Sequence, residues 1–237
     1  MNWKILCYHT VDPAQAGTFA AQLRWYQKNG YRCRPFSQAL TDLTRTEGRC
    51  ASVTFDDGDW SACAVAQKVL ADEGVCAILY LTTDYILKGK TYQAKNVRPS
   101  ATWDQLGRWL QAGHEIGSHT HSHADLTQCS PMQRAEELEC TQEIIRRELG
   151  ITPVHFAYPW GRYSPEVLQW FRKQTHWQSA VAVGGRGNNA QADRFALGRY
   201  ALTADWNLPE LRLTVLPGVG RFFYRRYRFL MGKAGGK

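Results

Sequence analysis

A chain of 237 residues, 44% of them hydrophobic, can bury a full core, and a single domain is the expected organisation. No window reaches the apolar length of a membrane span, and the first residues hold too short an apolar run for a signal peptide, so a cytoplasmic location is expected. The formal net charge of +8 is unevenly placed: from Leu211 onward there are seven basic residues (Arg212, Arg221, Arg225, Arg226, Arg228, Lys233, Lys237) and no acid, and without them the 29 basic residues fall to 22 against 21 acidic ones. The body, residues 1–210, is therefore close to neutral and residues 211–237 form a basic tail. No nucleic-acid partner is expected, because no recognised binding module accompanies the charge.

Residues 4–9 (KILCYH) read as a first strand. Phe19, Leu23 and Tyr26 recur at helical spacing, with a Thr before them and Gly30 after, which predicts a helix over 18–29. A shorter helix over 37–44 follows. Residues 51–55 form a strand that delivers Asp56 and Asp57 at its C-terminal end. A helix over 60–73 stops at Gly74, and 75–81 (VCAILYL) is a buried strand. Residues 88–100 have no period and read as a loop. Thr102-Trp103-Asp104-Gln105 has the form of a capping box and opens a helix that ends near Gly113. A strand over 114–118 leads into a histidine cluster. Ser130-Pro131-Met132-Gln133 starts a second capped helix, which runs to Leu149 and stops at Gly150. Residues 154–158 are a strand closed by Pro159-Trp160-Gly161, Ser164-Pro165 opens another helix, and 179–183 is a further strand. Alternation of strand and helix throughout predicts a parallel sheet, open or closed into a barrel. Seven cysteines without a Cys-x-x-Cys pair read as reduced thiols, most of them small core residues.

Three of the seven histidines, His119, His121 and His123, fall within five residues. Packing does not call for such clustering, whereas imidazole is the commonest metal ligand near neutral pH. Two His ligands do not complete a site, and a carboxylate is at hand in Thr54-Phe55-Asp56-Asp57-Gly58. Two His and one Asp leave coordination positions open, as in catalytic sites. Asp-Asp-Gly alone would be an ordinary turn. The two acids, the histidines and Pro159-Trp160-Gly161 each follow a predicted strand, and the C-terminal strand ends are where parallel α/β folds build their sites. If residues 119–123 are extended, His121 points away from its neighbours. His114, His155 and His176 read as structural.

These segments resemble the motifs of the NodB-type polysaccharide deacetylases, carbohydrate esterase family 4, over roughly residues 5–202. Thr54-Phe55-Asp56-Asp57-Gly58 is similar to the first motif. His119-Thr120-His121-Ser122-His123 is similar to the second. Ala157-Tyr158-Pro159-Trp160-Gly161 keeps part of the third, Arg-x-Pro-Tyr-Gly, without its Arg. The resemblance implies a distorted barrel of seven strand–helix units, (β/α)7, and removal of acetyl groups from glycans. It assigns a divalent cation, usually Zn2+ with Co2+ or Ni2+ as alternatives, to Asp57, His119 and His123. Asp56 would be the general base, and a backbone N–H near Trp160 an oxyanion donor. The family's usual last motif, Leu-x-His, falls at Leu197-Gly198-Arg199, which ends in Arg. Tyr8-His9-Thr10-Val11 is similar instead to the N-terminal pattern of a permuted subgroup, the poly-N-acetylglucosamine deacetylases, which makes His9 the expected general acid. Arg199 is expected on the substrate side or as the group that orients Asp56 in place of the missing motif Arg. Trp60 and Trp160 are expected to stack on sugar faces.

The function this implies is metal-dependent de-N-acetylation of an N-acetylhexosamine in a bacterial surface polysaccharide, lipopolysaccharide or lipid-linked glycan. The alternative is a non-catalytic glycan-binding protein on a degenerate deacetylase scaffold, motivated by the missing C-terminal His, the missing motif Arg and an unplaced fourth motif. Arginines interleaved with aromatic residues over 221–231 suggest a tail that rests on an anionic membrane, on the cytoplasmic face of the inner membrane. The competing reading of the tail is a helix packed on the barrel.

Overall fold

The computed structural model describes residues 2–44, 47–93 and 96–214. Ten strands are present among them: β1 (Asn2–Tyr8), β2 (Tyr31–Cys33), β3 (Arg49–Phe55), β4 (Ala77–Leu81), β5 (Lys90–Gln93), β6 (Asn96–Pro99), β7 (Glu115–Ser118), β8 (His155–Ala157), β9 (Ser179–Val183) and β10 (Leu197–Ala201). Seven of them run in the order β1-β10-β9-β8-β7-β4-β3, and β3 pairs back onto β1, so the sheet closes. All of these pairings are parallel. The chain is thus a closed seven-stranded parallel barrel with helices outside it, and β2 adds only a short flank to the start of β3. One seam is thin: β7 and β8 share the single register pair Ser118↔Phe156. Gly117 lies at that seam because a Cβ there would sit 2.4 Å from the Tyr80 ring and 2.9 Å from the His155 carbonyl oxygen.

Alternation of side chains across each strand divides the core. Trp3, Ile5, Ile78, Tyr80, Ala157, Val181 and Leu197 cluster together with Phe36 from the helix Phe36–Asp42. On the other face of the sheet, Leu6, Tyr8, Val53, Phe55, Leu79 and Leu81 pack under helices that bring Phe19, Leu23, Leu70, Leu106 and Trp109. A third cluster, Phe156, Tyr158, Phe171, Trp177 and Ala180, seats the helix Pro165–Lys173. Helix starts follow local chemistry. The Thr102 and Ser130 hydroxyls each accept the N–H three residues on, and Gln105 and Gln133 reach back to complete both capping boxes. Helix Pro131–Leu149 stops at Gly150, which adopts φ 69°.

Several sequence expectations are corrected. The loop expected over 88–100 is the antiparallel hairpin β5–β6. Its turn chemistry is weak, and it is held instead by tertiary ion pairs: Arg98 on β6 reaches the buried Asp59 at 2.8 Å and Asp12 at 2.5 Å. Strands β2 and β10 are additional to those expected. The boundary expected at 210/211 falls inside the helix Leu208–Thr214, whose Leu211 is fully buried in the core, so the packed body continues past residue 210. The rest of the basic tail, residues 215–237, lies outside the described residues. No helix among the described residues is long and apolar enough to cross a membrane. All seven cysteines are free thiols.

Candidate active site

Because the barrel strands are parallel, the segments that follow β1, β3, β4, β7 and β8 emerge on one rim. The ladders continue into them. Asp56 N–H donates to the Tyr8 carbonyl at 3.1 Å, and His119 N–H donates to the Leu81 carbonyl at 2.8 Å. These bonds place His9 beside Asp56 and His119 beside the end of β4. The backbone then bends sharply at the residues that matter: Asp57, Thr120, His123 and Trp160 are the four non-glycine residues with positive φ among the described residues, at 71°, 67°, 63° and 60°. Each is an unfavourable conformation held by its surroundings, and such residues concentrate at functional sites. Two of the bends fall within 119–123, so this segment is not extended. His121 leaves the site for that reason and bonds the Thr83 hydroxyl at 2.9 Å.

Asp57, His119 and His123 converge. One oxygen of Asp57, Oδ1, lies 3.5 Å from Nε2 of His119 and 3.5 Å from Nε2 of His123. Nδ1 of His119 faces the Ala157 carbonyl at 2.7 Å. A carbonyl only accepts, so Nδ1 carries the proton and Nε2 presents its lone pair toward Asp57. Burial lowers the pKa of both rings to about 4; the nearby Asp56 charge opposes this without reversing it. Both histidines are therefore neutral near pH 7, as metal ligation requires. A carboxylate oxygen and two neutral nitrogens at these separations suit a divalent cation, and the set Asp57, His119, His123 fits one. The loop that carries the histidines is clamped by Glu137 from the helix Pro131–Leu149. Its Oε2 accepts the N–H of His121 at 2.9 Å and of Ser122 at 2.8 Å, and Oε1 accepts the Ser122 hydroxyl at 2.6 Å.

Asp56 is held differently. Arg199 is fully buried inside the barrel, and its Nη1 and Nη2 donate to the two oxygens of Asp56 at 2.7 and 2.6 Å. The guanidinium also donates to the Thr54 hydroxyl at 3.1 Å and lies over the Tyr80 ring, 5.6 Å from its centroid. Burial alone would raise the Asp56 carboxyl. The Arg199 charge, the His119 ring, the Arg199 hydrogen bonds and His9 together outweigh it and hold the group well below the usual carboxylate range. Arg199 is thus an orienting residue beneath Asp56, and its expected place on the substrate side is corrected. Position 199 faces inward next to β1 through the pair Ile5↔Arg199, from where a long fork-shaped side chain reaches Asp56. His9 lies close: a ring nitrogen of His9, the Cys7 sulfur and an Asp56 oxygen are all within 4.8 Å of one another.

Trp160 stands on the rim, 48% exposed, with its ring centroid 4.7 Å from that of His123. Trp60 is half-buried at the start of the helix after the Asp56-Asp57 turn. The sequence reading missed Tyr85, whose ring stacks on His123 at 5.8 Å, and Tyr92 on the hairpin, 44% exposed and packed edge-on to Tyr85. A signal was available for Tyr85, which follows β4 as the other site segments follow their strands.

The rim matches known proteins in sequence as well as in shape. A family model described as polysaccharide deacetylase matches residues 44–176, more than half of the chain. The chain belongs to that family. Its members are hydrolases that deacetylate glycans, and the matched segment spans Asp56, Asp57, His119, His123 and Trp160. Protein YxkH of Bacillus subtilis (strain 168) is 26% identical over 231 residues, which cover 94% of this chain and 75% of YxkH. The Streptococcus pyogenes deacetylase PplD, solved in complex with acetate, superposes with TM-score 0.77 at 22% identity, covering 92% of this chain and 99% of that one. IcaB from Ammonifex degensii superposes with TM-score 0.73 at 23% identity, covering 86% and 93% respectively. At these identities the structural likenesses establish the fold, and they agree with the closed barrel described above.

Proposed function

We propose that this deacetylase removes the N-acetyl group from an N-acetylhexosamine in a bacterial surface polysaccharide or lipid-linked glycan, with the help of a divalent cation. The observation that carries the reading is the division of the two adjacent acids: Asp57 turns toward His119 and His123, whereas Asp56 is tied by both oxygens to Arg199. Adjacent carboxylates in unlike surroundings take unlike roles. A cation held by Asp57, His119 and His123 would supply Lewis acidity to the attacking water and the acetyl carbonyl. Asp56, kept ionised and fixed by Arg199, accepts the proton of that water. So strongly held a carboxylate is a weak base, adequate only for an acidified nucleophile. His9 would protonate the departing amine, a reading supported by its ring nitrogen lying within 4.8 Å of an Asp56 oxygen. In this reading Trp160 would contribute a backbone N–H to the oxyanion, and its exposed ring beside His123 would meet a sugar face.

The missing motif Arg does not favour the non-catalytic reading, because Arg199 supplies a guanidinium to Asp56 from another strand. Composition also supports a peripheral contact of the basic tail with anionic membrane, which salt-dependent sedimentation with anionic liposomes tests. The test of the function is acetate release from N-acetylated and O-acetylated glycans, before and after chelation and after restoring Zn2+. Activity on the N-acetylated glycan should vanish on chelation, return with Zn2+ and be absent in Asp57→Ala. Release that persists in the chelated protein or in Asp57→Ala would overturn it.

A further inference from the structure

Beside the Asp57, His119, His123 set lies a second group of three donors. It comprises the Cys7 sulfur, a ring nitrogen of His9 and an Asp56 oxygen, all within 4.8 Å of one another. We propose that this group is a second, inhibitory site for a thiophilic divalent cation such as Zn2+ or Co2+. The inference rests on the functional reading above for its consequence, though not for its existence. A thiolate, an imidazole and a carboxylate together suit Zn2+ or Co2+ and not Mg2+ or Ca2+. The fold places the three donors at one spot. Cys7 lies on β1 and Asp56 directly follows the neighbouring strand β3, with Sγ 3.6 Å from Asp56 Oδ2. His9, two residues after Cys7, stands at the partly exposed rim.

The two sites adjoin through Asp56, whose Oδ2 is 4.0 Å from His119 Nε2. Their strengths differ for a physical reason. Both oxygens of Asp56 already receive hydrogen bonds from the Arg199 guanidinium, whose positive charge opposes a second cation there. Cys7 is fully buried and must release its thiol proton to bind. The Asp57 set therefore fills first and the Cys7 set only in excess. Once filled, the second site engages the lone pairs of both Asp56 and His9, the groups placed to accept and donate protons. Metal then activates at low concentration and inhibits at high concentration.

The experiment uses the full chain. Co2+ is titrated into the metal-free protein while near-ultraviolet thiolate-to-cobalt charge transfer is followed. The band should appear only beyond the first molar equivalent, and it should be lost in Cys7→Ser and Cys7→Ala, which still take up the first equivalent. In parallel, acetate release is measured with one equivalent of Zn2+ and with a large excess, and each variant is compared with itself. At saturation the wild-type rate should fall on the order of a hundredfold, as expected when both acid and base are engaged. Cys7→Ser should stay flat, as should wild type in excess Mg2+. Absence of the band in wild type, or equal inhibition by Zn2+ in both Cys7 variants, would overturn the proposal. If no acetate is released at any loading, the functional reading fails while the cobalt band still decides the site.

Discussion

Replacing Arg199 with Met tests the central ion pair. The substitution keeps the apolar stem of the side chain but removes the guanidinium, leaving the buried Asp56 carboxylate without the two charged bonds at 2.7 and 2.6 Å. Breaking one side of a buried pair typically costs about 3–5 kcal/mol, because the remaining charge stays desolvated. For a chain of this size each kcal/mol shifts Tm by roughly 2–4 °C, so a fall of about 6–20 °C is expected. The pH dependence carries a sign that separates this from simple loss of packing. Asp56 has a folded pKa below its unfolded value of about 4, so its contribution is complete above pH 4 and is lost as pH falls through the folded value. In Arg199→Met, burial raises the same group instead. The deficit relative to wild type should be greatest near neutral pH and close below about pH 4. Thermal and urea unfolding of wild type, Arg199→Met, Asp56→Asn and the double variant form a cycle, with an expected coupling of about 3 kcal/mol. A single-variant cost under about 1 kcal/mol, or strict additivity, would refute the argument.

Gly117→Ala should cost about 1–3 kcal/mol, because the new methyl meets the Tyr80 ring at 2.4 Å and the His155 carbonyl at 2.9 Å; urea denaturation measures it. Glu137→Ala should weaken metal affinity on the order of ten- to a hundredfold by releasing the His121 and Ser122 amides, with Glu137→Gln intermediate, as read by competition with a chromogenic chelator. His9→Ala should lower acetate release by on the order of a hundredfold or more at unchanged zinc content; a near wild-type rate would leave the acid unassigned. Burial lowers the pKa of His114 and His155 to about 4. Their contribution is therefore full above the unfolded value of about 6.5 and lost as pH falls toward 4. Thermal melts from pH 7 to pH 4 should show that loss, and His155→Gln should reduce the slope.

Local rules reached far in this chain. Periodicity and punctuation located the helix Pro131–Leu149 to its ends, because Ser130, Pro131, Gln133 and Gly150 each act within one turn of backbone. The strand β9, Ser179–Val183, was equally legible as an apolar run. Asp57, His119 and His123 could be singled out because short spacing at strand ends constrains where side chains meet, and the structure brings those three together. What escaped the sequence was everything set by distant partners. The hairpin β5–β6 carries no strong turn or alternation, and it is held by Arg98 reaching Asp59 and Asp12, 39 and 86 residues away. Arg199 in place of a motif histidine reads as a departure until barrel closure lays β10 against β1 and brings the guanidinium to a carboxylate 143 residues back. The left-handed turns at Thr120 and His123 that send His121 out of the site were likewise invisible. Neither residue favours that conformation alone, and only the surrounding contacts, among them Glu137 on the neighbouring amides, can offset its cost.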